Sequence, residues 1–193
     1  MARPKEFDRD IALKGAIEVF CDAGFEGAST DDLLRRMRIG RQSLYDTFGD
    51  KRALYLEALR HYLAERVAIQ IRILSAEASP LRGLEAAMNE LATTGAQGKR
   101  AGCMGIGAIC EFGQSDPEIA ALIDVAQRPL LSAIRHGIEE GKSKGEIGAD
   151  VDTQAAAEFV TSTFTGIKLA ARGGASGNTL RNIVRMAMRS LKY

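Results

Sequence analysis

The sequence predicts an all-α protein of about nine helices: three short helices with helix-turn-helix spacing at the N-terminus, then a larger helical domain. Three observations carry this. Apolar residues recur at helical spacing, as in Leu13, Ala16, Ile17 and Phe20. The periodic segments are punctuated by helix signals, with Ser, Asp or Pro at their starts and Gly at their ends. No alternating strand pattern of useful length and no internal repeat is present.

The elements follow in order. Residues 8–23 form an amphipathic helix, and Gly24 is its stop, because glycine takes a left-handed cap without steric cost. Ser29-Thr30-Asp31-Asp32 supplies a cap with an acid three residues on, opening a short helix with Leu33, Leu34 and Met37 inward. Arg38-Ile39-Gly40 is a three-residue connection, and Arg41 to Phe48 is a third short helix with Leu44 and Phe48 facing in. Gly49-Asp50 breaks the chain and caps a long helix from Lys51 to about Ala76, whose length suggests a bridge between two domains. Pro80 opens a helix to about Thr94; Gly95 to Gly102 reads as a polar loop and Cys103 to Phe112 as a small-residue helix. Ser115-Asp116-Pro117-Glu118 is a helix start, with Pro at the first position and an acid in the first turn. That helix reaches about Glu140, with a kink expected at Pro129. Gly141 to Asp150 reads as a loop, before two last helices at about 152–172 and 177–191.

Composition narrows the function classes. Of 193 residues, 46% are hydrophobic and 26% charged, which excludes a disordered chain. No apolar run approaches a membrane span, and Met1 to Asp10 lacks the apolar stretch of a secretory leader. Three cysteines, an odd number without an export signal, point to reduced thiols and a cytoplasmic location. The two histidines, His61 and His136, are too far apart in sequence to suggest a metal site; no metal and no cofactor are expected. No Ser/His/Asp or Cys/His arrangement rises above chance, so the chain does not read as an enzyme. The net charge is only +1, but Arg35, Arg36, Arg38 and Arg41 fall within seven residues, and no acid lies between Asp32 and Asp46.

That basic stretch coincides with the three-residue turn. Such a turn sets two helices at a steep angle, so that the third enters a major groove while the second crosses the backbone. The outward face of the third helix carries Arg41, Gln42, Ser43, Tyr45, Asp46 and Thr47, long or polar enough to reach base edges and phosphates. The same spacing fits a plain three-helix bundle with a solvated polar face.

The residues themselves decide between these. Phe20-x-x-x-Gly24-Phe25-x-x-x-Ser29-Thr30 is followed by Ile39-Gly40-Arg41-Gln42-Ser43-Leu44-Tyr45-Asp46-Thr47-Phe48-x-x-Lys51-x-x-Leu54. This run resembles the N-terminal domain of the TetR family of transcriptional regulators. Its Leu-Tyr-x-x-Phe-x-x-Lys portion is specific, and Arg3-Pro4-Lys5-Glu6-Phe7-Asp8 is similar to the N-terminal arm of many members. The resemblance implies that Thr30, Tyr45 and Lys51 bind phosphates, that Arg41, Gln42 and Ser43 read bases, and that Arg3 and Lys5 follow the backbone or a minor groove. Thr47 stands where the family commonly has a phosphate-touching His or Tyr. Arg38 stands where it usually has Gly or a small residue, and Gly40 where it often has Ser or Thr.

The resemblance covers nearly the whole chain, more loosely beyond residue 55. It implies a DNA-binding domain at 1–52 and an effector-binding and dimerisation domain at 53–193. It further implies a homodimer through the two last helices, a near-palindromic double-stranded operator, and a repressor released by a small molecule. Met88, Cys103, Met104, Phe112, Phe159 and Phe164 are the candidate pocket liners, although apolar residues at this spacing also read as ordinary core. Few ionisable groups are expected inside, which favours an uncharged, largely apolar effector. The alternative is a redox-sensing regulator triggered through Cys103 or Cys110, seven residues apart and on one face of a continuous helix. The plainer reading of those cysteines is as small buried core residues.

Overall fold

The computed structural model describes residues 7–96 and 103–192. Among the described residues are nine helices and no strand: α1 (Arg9–Gly27), α2 (Thr30–Met37), α3 (Arg41–Phe48), α4 (Lys51–Leu74), α5 (Pro80–Ala96), α6 (Met104–Glu111), α7 (Pro117–Ser143), α8 (Thr153–Arg172) and α9 (Gly177–Ser190). No helix among them is long and apolar enough to cross a membrane. The chain forms two compact units, Met1–Ala64 with Arg100–Ile123, and Glu65–Lys99 with Asp124–Tyr193.

In the first unit, α1 packs on α2 and α6. Asp8 caps α1 by accepting from the N–H groups of Asp10 and Ile11. Ala12, Leu13, Ala16 and Phe20 are buried on its inner face. The close approach of α1 to α2 depends on Gly15: a Cβ there would lie 2.8 Å from the Arg36 carbonyl oxygen. Gly24 breaks the helix where the sequence puts its stop: its φ of +73° and ψ of −173° are not helical, and one further turn follows to Gly27. The Phe25 N–H just after the break donates instead to a Glu111 carboxylate oxygen, at 2.8 Å. Asp50 caps α4 through the Ala53 N–H (2.8 Å), and Leu54, Tyr55, Ala58 and Leu59 are buried.

In the second unit, α5 packs on α8 and α9, which also pack on each other. Its core holds Val67, Leu84, Met88 and Leu91, Ile134 and Ile138, Val160, Phe164 and Ile167, and Leu180, Val184 and Met188. These positions recur at three and four residues, which is why burial follows the periodic pattern. Helix α5 runs past the expected Thr94, and residues 97–102 of the expected loop lie outside the described residues. Pro129 lies inside α7 without ending it, and α7 reaches Ser143, three residues into the predicted loop. Gly145 (φ +68°) closes that helix end. Glu146 then accepts from the Ser79 hydroxyl (2.7 Å) and the Leu81 N–H (3.1 Å), tying the α7–α8 connection to the start of α5.

Candidate functional site

The first unit presents α2, a tight turn and α3. Ser29 caps α2 by accepting from the Asp32 N–H (3.0 Å) while its hydroxyl donates to the Asp32 carboxylate (2.6 Å). Asp31 and Asp32 complement the positive helix end, and Arg35 and Arg36 the negative one. Arg38 ends α2 in the left-handed conformation (φ 56°, ψ 41°). This accounts for the small residue or glycine that the resemblance expects there: any side chain in that conformation costs about 1–2 kcal/mol. Gly40 caps α3 without a side-chain hydrogen bond.

Leu44 and Phe48 are buried and anchor α3, so its opposite face is turned outward. On that face Arg41, Gln42, Tyr45 and Asp46 are exposed, Tyr45 by 48%, and Ser43 and Thr47 are half-buried. Thr30 is half-buried at the first position of α2. Lys51, half-buried at the first position of α4, holds its ammonium 4.6 Å from the centroid of the Phe25 ring. Arg3 and Lys5 lie outside the described residues.

Acids already occupy this face. The Arg41 guanidinium meets Asp31 at 2.8 Å, the Gln42 amide donates to Asp46 at 2.8 Å, and Arg35 and Arg36 pair with Asp32 and Glu18. All are solvent-exposed pairs, worth about 0–1 kcal/mol each. Exchanging one for a phosphate or a base edge is therefore cheap.

The same unit holds an aromatic cluster that sequence reading missed. Tyr55, 1% exposed, meets Phe20, Phe25 and Phe112 at ring-centroid distances of 5.0, 5.1 and 5.7 Å. Burial pushes the Tyr55 phenol well above its ordinary pKa, with the Glu111 charge adding to it, so it stays protonated. Arg52 grips Asp116 with two guanidinium nitrogens (2.7 and 3.2 Å) and Glu118 with one (2.8 Å). The hydrogen bond from Arg52, with that from the Ile119 N–H, holds the Asp116 carboxyl below the usual carboxylate range. Gly24-Phe25 was legible as a motif, but its partner Glu111 is 86 residues from Phe25, and only the fold pairs them.

The expected pocket liners fall in different places. Met88 and Phe164 are in the core of the second unit. Met104 is buried in the first, and Phe112 packs on Phe25 and Tyr55 there. Phe159 is 44% exposed on α8. An open groove of about 360 Å³ along α7 is lined by Arg128, Leu131, Ser132, Arg135, His136 and Glu139, none of them an expected liner. Both histidines are exposed, and no group of three metal-ligating side chains occurs among the described residues. The cysteines correct the sequence reading. Cys21 is buried, but Cys110 is exposed, and Cys103 is the half-buried N-cap of α6 with extended backbone (φ −83°, ψ 107°). The helical stacking that seven-residue spacing implies therefore does not extend to Cys103.

Known proteins match this architecture along its length. Residues 12–58 match the model for bacterial regulatory proteins of the tetR family, and residues 80–187 the tetracyclin repressor-like C-terminal domain. The chain belongs to the TetR family. It is 34% identical over 190 residues to the uncharacterised HTH-type transcriptional regulator YezE of Bacillus subtilis (strain 168), covering 97% of this chain and 98% of that protein. It is 28% identical over 191 residues to the HTH-type transcriptional repressor ComR of Escherichia coli (strain K12), covering 97% and 90%. Among solved structures, it is similar to a cysteine mutant of the TetR family regulator CifR in complex with 26-bp double-strand operator DNA. That match has a TM-score of 0.84 and 28% identity, covering 97% of this chain and 99% of the other. The chain is thus a DNA-binding transcriptional regulator with a helix-turn-helix, from a family of regulators rather than enzymes.

Proposed function

We infer that this TetR-family regulator is a repressor that binds a near-palindromic operator as a homodimer and leaves it when a small molecule binds. The observation that carries the reading is the outward face of α3: Arg41, Gln42 and Tyr45 exposed around an anchor of buried Leu44 and Phe48. Residues 1–52 form the DNA-binding part and residues 53–193 the effector-binding and dimerisation part. In the complex, Arg41, Gln42 and Ser43 read base edges, while Thr30, Tyr45, Thr47 and Lys51 contact phosphates; Arg3 and Lys5 add contacts from the arm. The operator complex of CifR and the repressor activity in the name of ComR support this reading.

Dimerisation is supported by α8 and α9, where Phe159, Leu169 and Met186 are 44, 53 and 60% exposed. Three large apolar side chains on those two helices fit a buried subunit interface better than water. Two recognition helices about 34 Å apart then reach successive major grooves on one face of the DNA. Among the six expected pocket liners, only Met88 and Phe164 share the core of the second unit, and they are the ones retained as effector contacts.

Selection of bound fragments from the source genome by the purified protein tests this. A near-palindromic site should be recovered, with a steep salt dependence. Lys51→Ala should lower the salt slope by about one charge, and Tyr45→Ala should weaken binding at every sequence alike. No enrichment over random DNA, with protein refolded to strip ligand and kept reduced, refutes the reading. The exposure of Cys110 favours thiol oxidation as a second trigger. Oxidant-induced release that survives both Cys103→Ser and Cys110→Ser refutes that trigger.

A further inference from the structure

Gln70 stands apart in the second unit. It is the one buried amide or charged side chain among the described residues, at 4% exposure. Its Nε2 donates to a Glu90 carboxylate oxygen at 2.6 Å. Its Oε1 is the single buried side-chain nitrogen or oxygen among the described residues that no hydrogen bond reaches. Val67, one turn earlier on the same helix, and Leu91, next to Glu90 on α5, belong to the apolar core of this unit. Turning the amide over gives no relief, because Oε1 would then face the Glu90 carboxylate and the NH₂ would lose its acceptor. Glu90 is held in place by Arg66 (3.4 Å) and the Thr94 hydroxyl (3.1 Å), so it fixes the amide with its carbonyl oxygen unmet.

A buried acceptor without a donor destabilises the fold that contains it. A Leu or Met here would carry no unmet acceptor, although Glu90 would lose the donor that Nε2 supplies. We propose that the Gln70 carbonyl oxygen is the polar anchor of the effector site, accepting a hydrogen bond from an N–H or O–H group of a small ligand with an apolar body. An ionised carboxylate or phosphate brings no donor to this oxygen, and Arg66 already has Glu90 as its counter-ion, so the position suits neutral donors such as alcohols, phenols and primary amides. This rests on the effector-binding reading of the second unit and revises its expected chemistry from merely apolar to apolar with one donor.

The test uses the full-length protein and a matched set of ring compounds: cyclohexanol, cyclohexanone, methylcyclohexane and cyclohexanecarboxylate. Binding is read in solution by ligand-observed NMR and calorimetry, without DNA. Cyclohexanol should bind about tenfold more tightly than cyclohexanone, and cyclohexanecarboxylate should not bind. Gln70→Met should abolish the preference for cyclohexanol. If Gln70→Met fails to fold, Glu90→Gln serves instead: it leaves Arg66 without its counter-ion, so cyclohexanecarboxylate should gain measurable binding. Equal binding of cyclohexanol and cyclohexanone, a preference that survives Gln70→Met, or no binding by any of the four overturns the proposal. Operator binding by the ligand-free protein is measured separately. Its absence would refute the repressor reading, while the solution preference would still decide the role of Gln70.

Discussion

Replacing Gly24 by alanine tests how the helix-turn-helix is held. The backbone there (φ +73°, ψ −173°) lies in a region that is essentially reserved for glycine, and a side chain in it costs about 1–3 kcal/mol. A Cβ would also lie 2.1 Å from Glu111 Oε1 and 2.9 Å from its Cδ, so the carboxylate must move. Moving an exposed, flexible side chain is cheap in itself, but it breaks the 2.8 Å hydrogen bond from the Phe25 N–H. That group is near solvent and recovers part of the loss from water, which leaves about 1 kcal/mol. The sum is about 2–4 kcal/mol, or roughly 4–16 °C in melting temperature for a chain of this size. Far-UV circular dichroism at one fixed protein concentration measures it. Glu111→Ala alone should cost only about 1 kcal/mol, and adding it to Gly24→Ala should cost almost nothing more, because the carboxylate has already left. Additive effects, or a Gly24→Ala variant melting within about 1 °C of wild type, would refute the reasoning.

Other outcomes follow from the same structure. Arg41→Ala should cost about 1–3 kcal/mol on the best operator and flatten the preference at one base pair per half-site, whereas Asp31→Asn should strengthen binding to random DNA; competition gel shifts separate the two. Phe159→Arg or Met186→Glu should yield a folded monomer with little operator affinity, as seen by light scattering and gel shift; a variant that remains dimeric would place the interface elsewhere. The Ser79 hydroxyl, followed by the Leu81 N–H, holds the Glu146 carboxyl below the usual range. Its stabilisation is therefore present above the unfolded pKa of about 4.3 and lost as pH falls through the lower folded value. Wild type should melt above Glu146→Gln at pH 6, and the gap should close on acidification. A gap that widens toward low pH would contradict the assigned cause.

Local rules set by neighbours a few residues apart were legible in the chain. Helical periodicity, Ser29 and Asp50 as caps, Pro117 at a helix start, and the Leu44/Phe48 anchor of α3 all depend on contacts within one or two turns, and each lies where the sequence puts it. The outward-facing Arg41, Gln42 and Tyr45 follow from the same anchor, since burying one face of an eight-residue helix exposes the other. What the sequence concealed depends on partners far along the chain. Gly24 reads as a helix stop and the backbone does break there, but the Glu111 carboxylate that accepts from the Phe25 N–H just after the break is 86 residues away. Cys103 and Cys110 share a face only if one helix holds both, and Cys103 instead caps α6 in extended conformation. Gln70 looks like any polar residue on a long helix until α5 covers it and Glu90 turns its amide. Periodicity records which side of a helix is apolar; which buried polar atom goes unmet depends on what the fold packs against it.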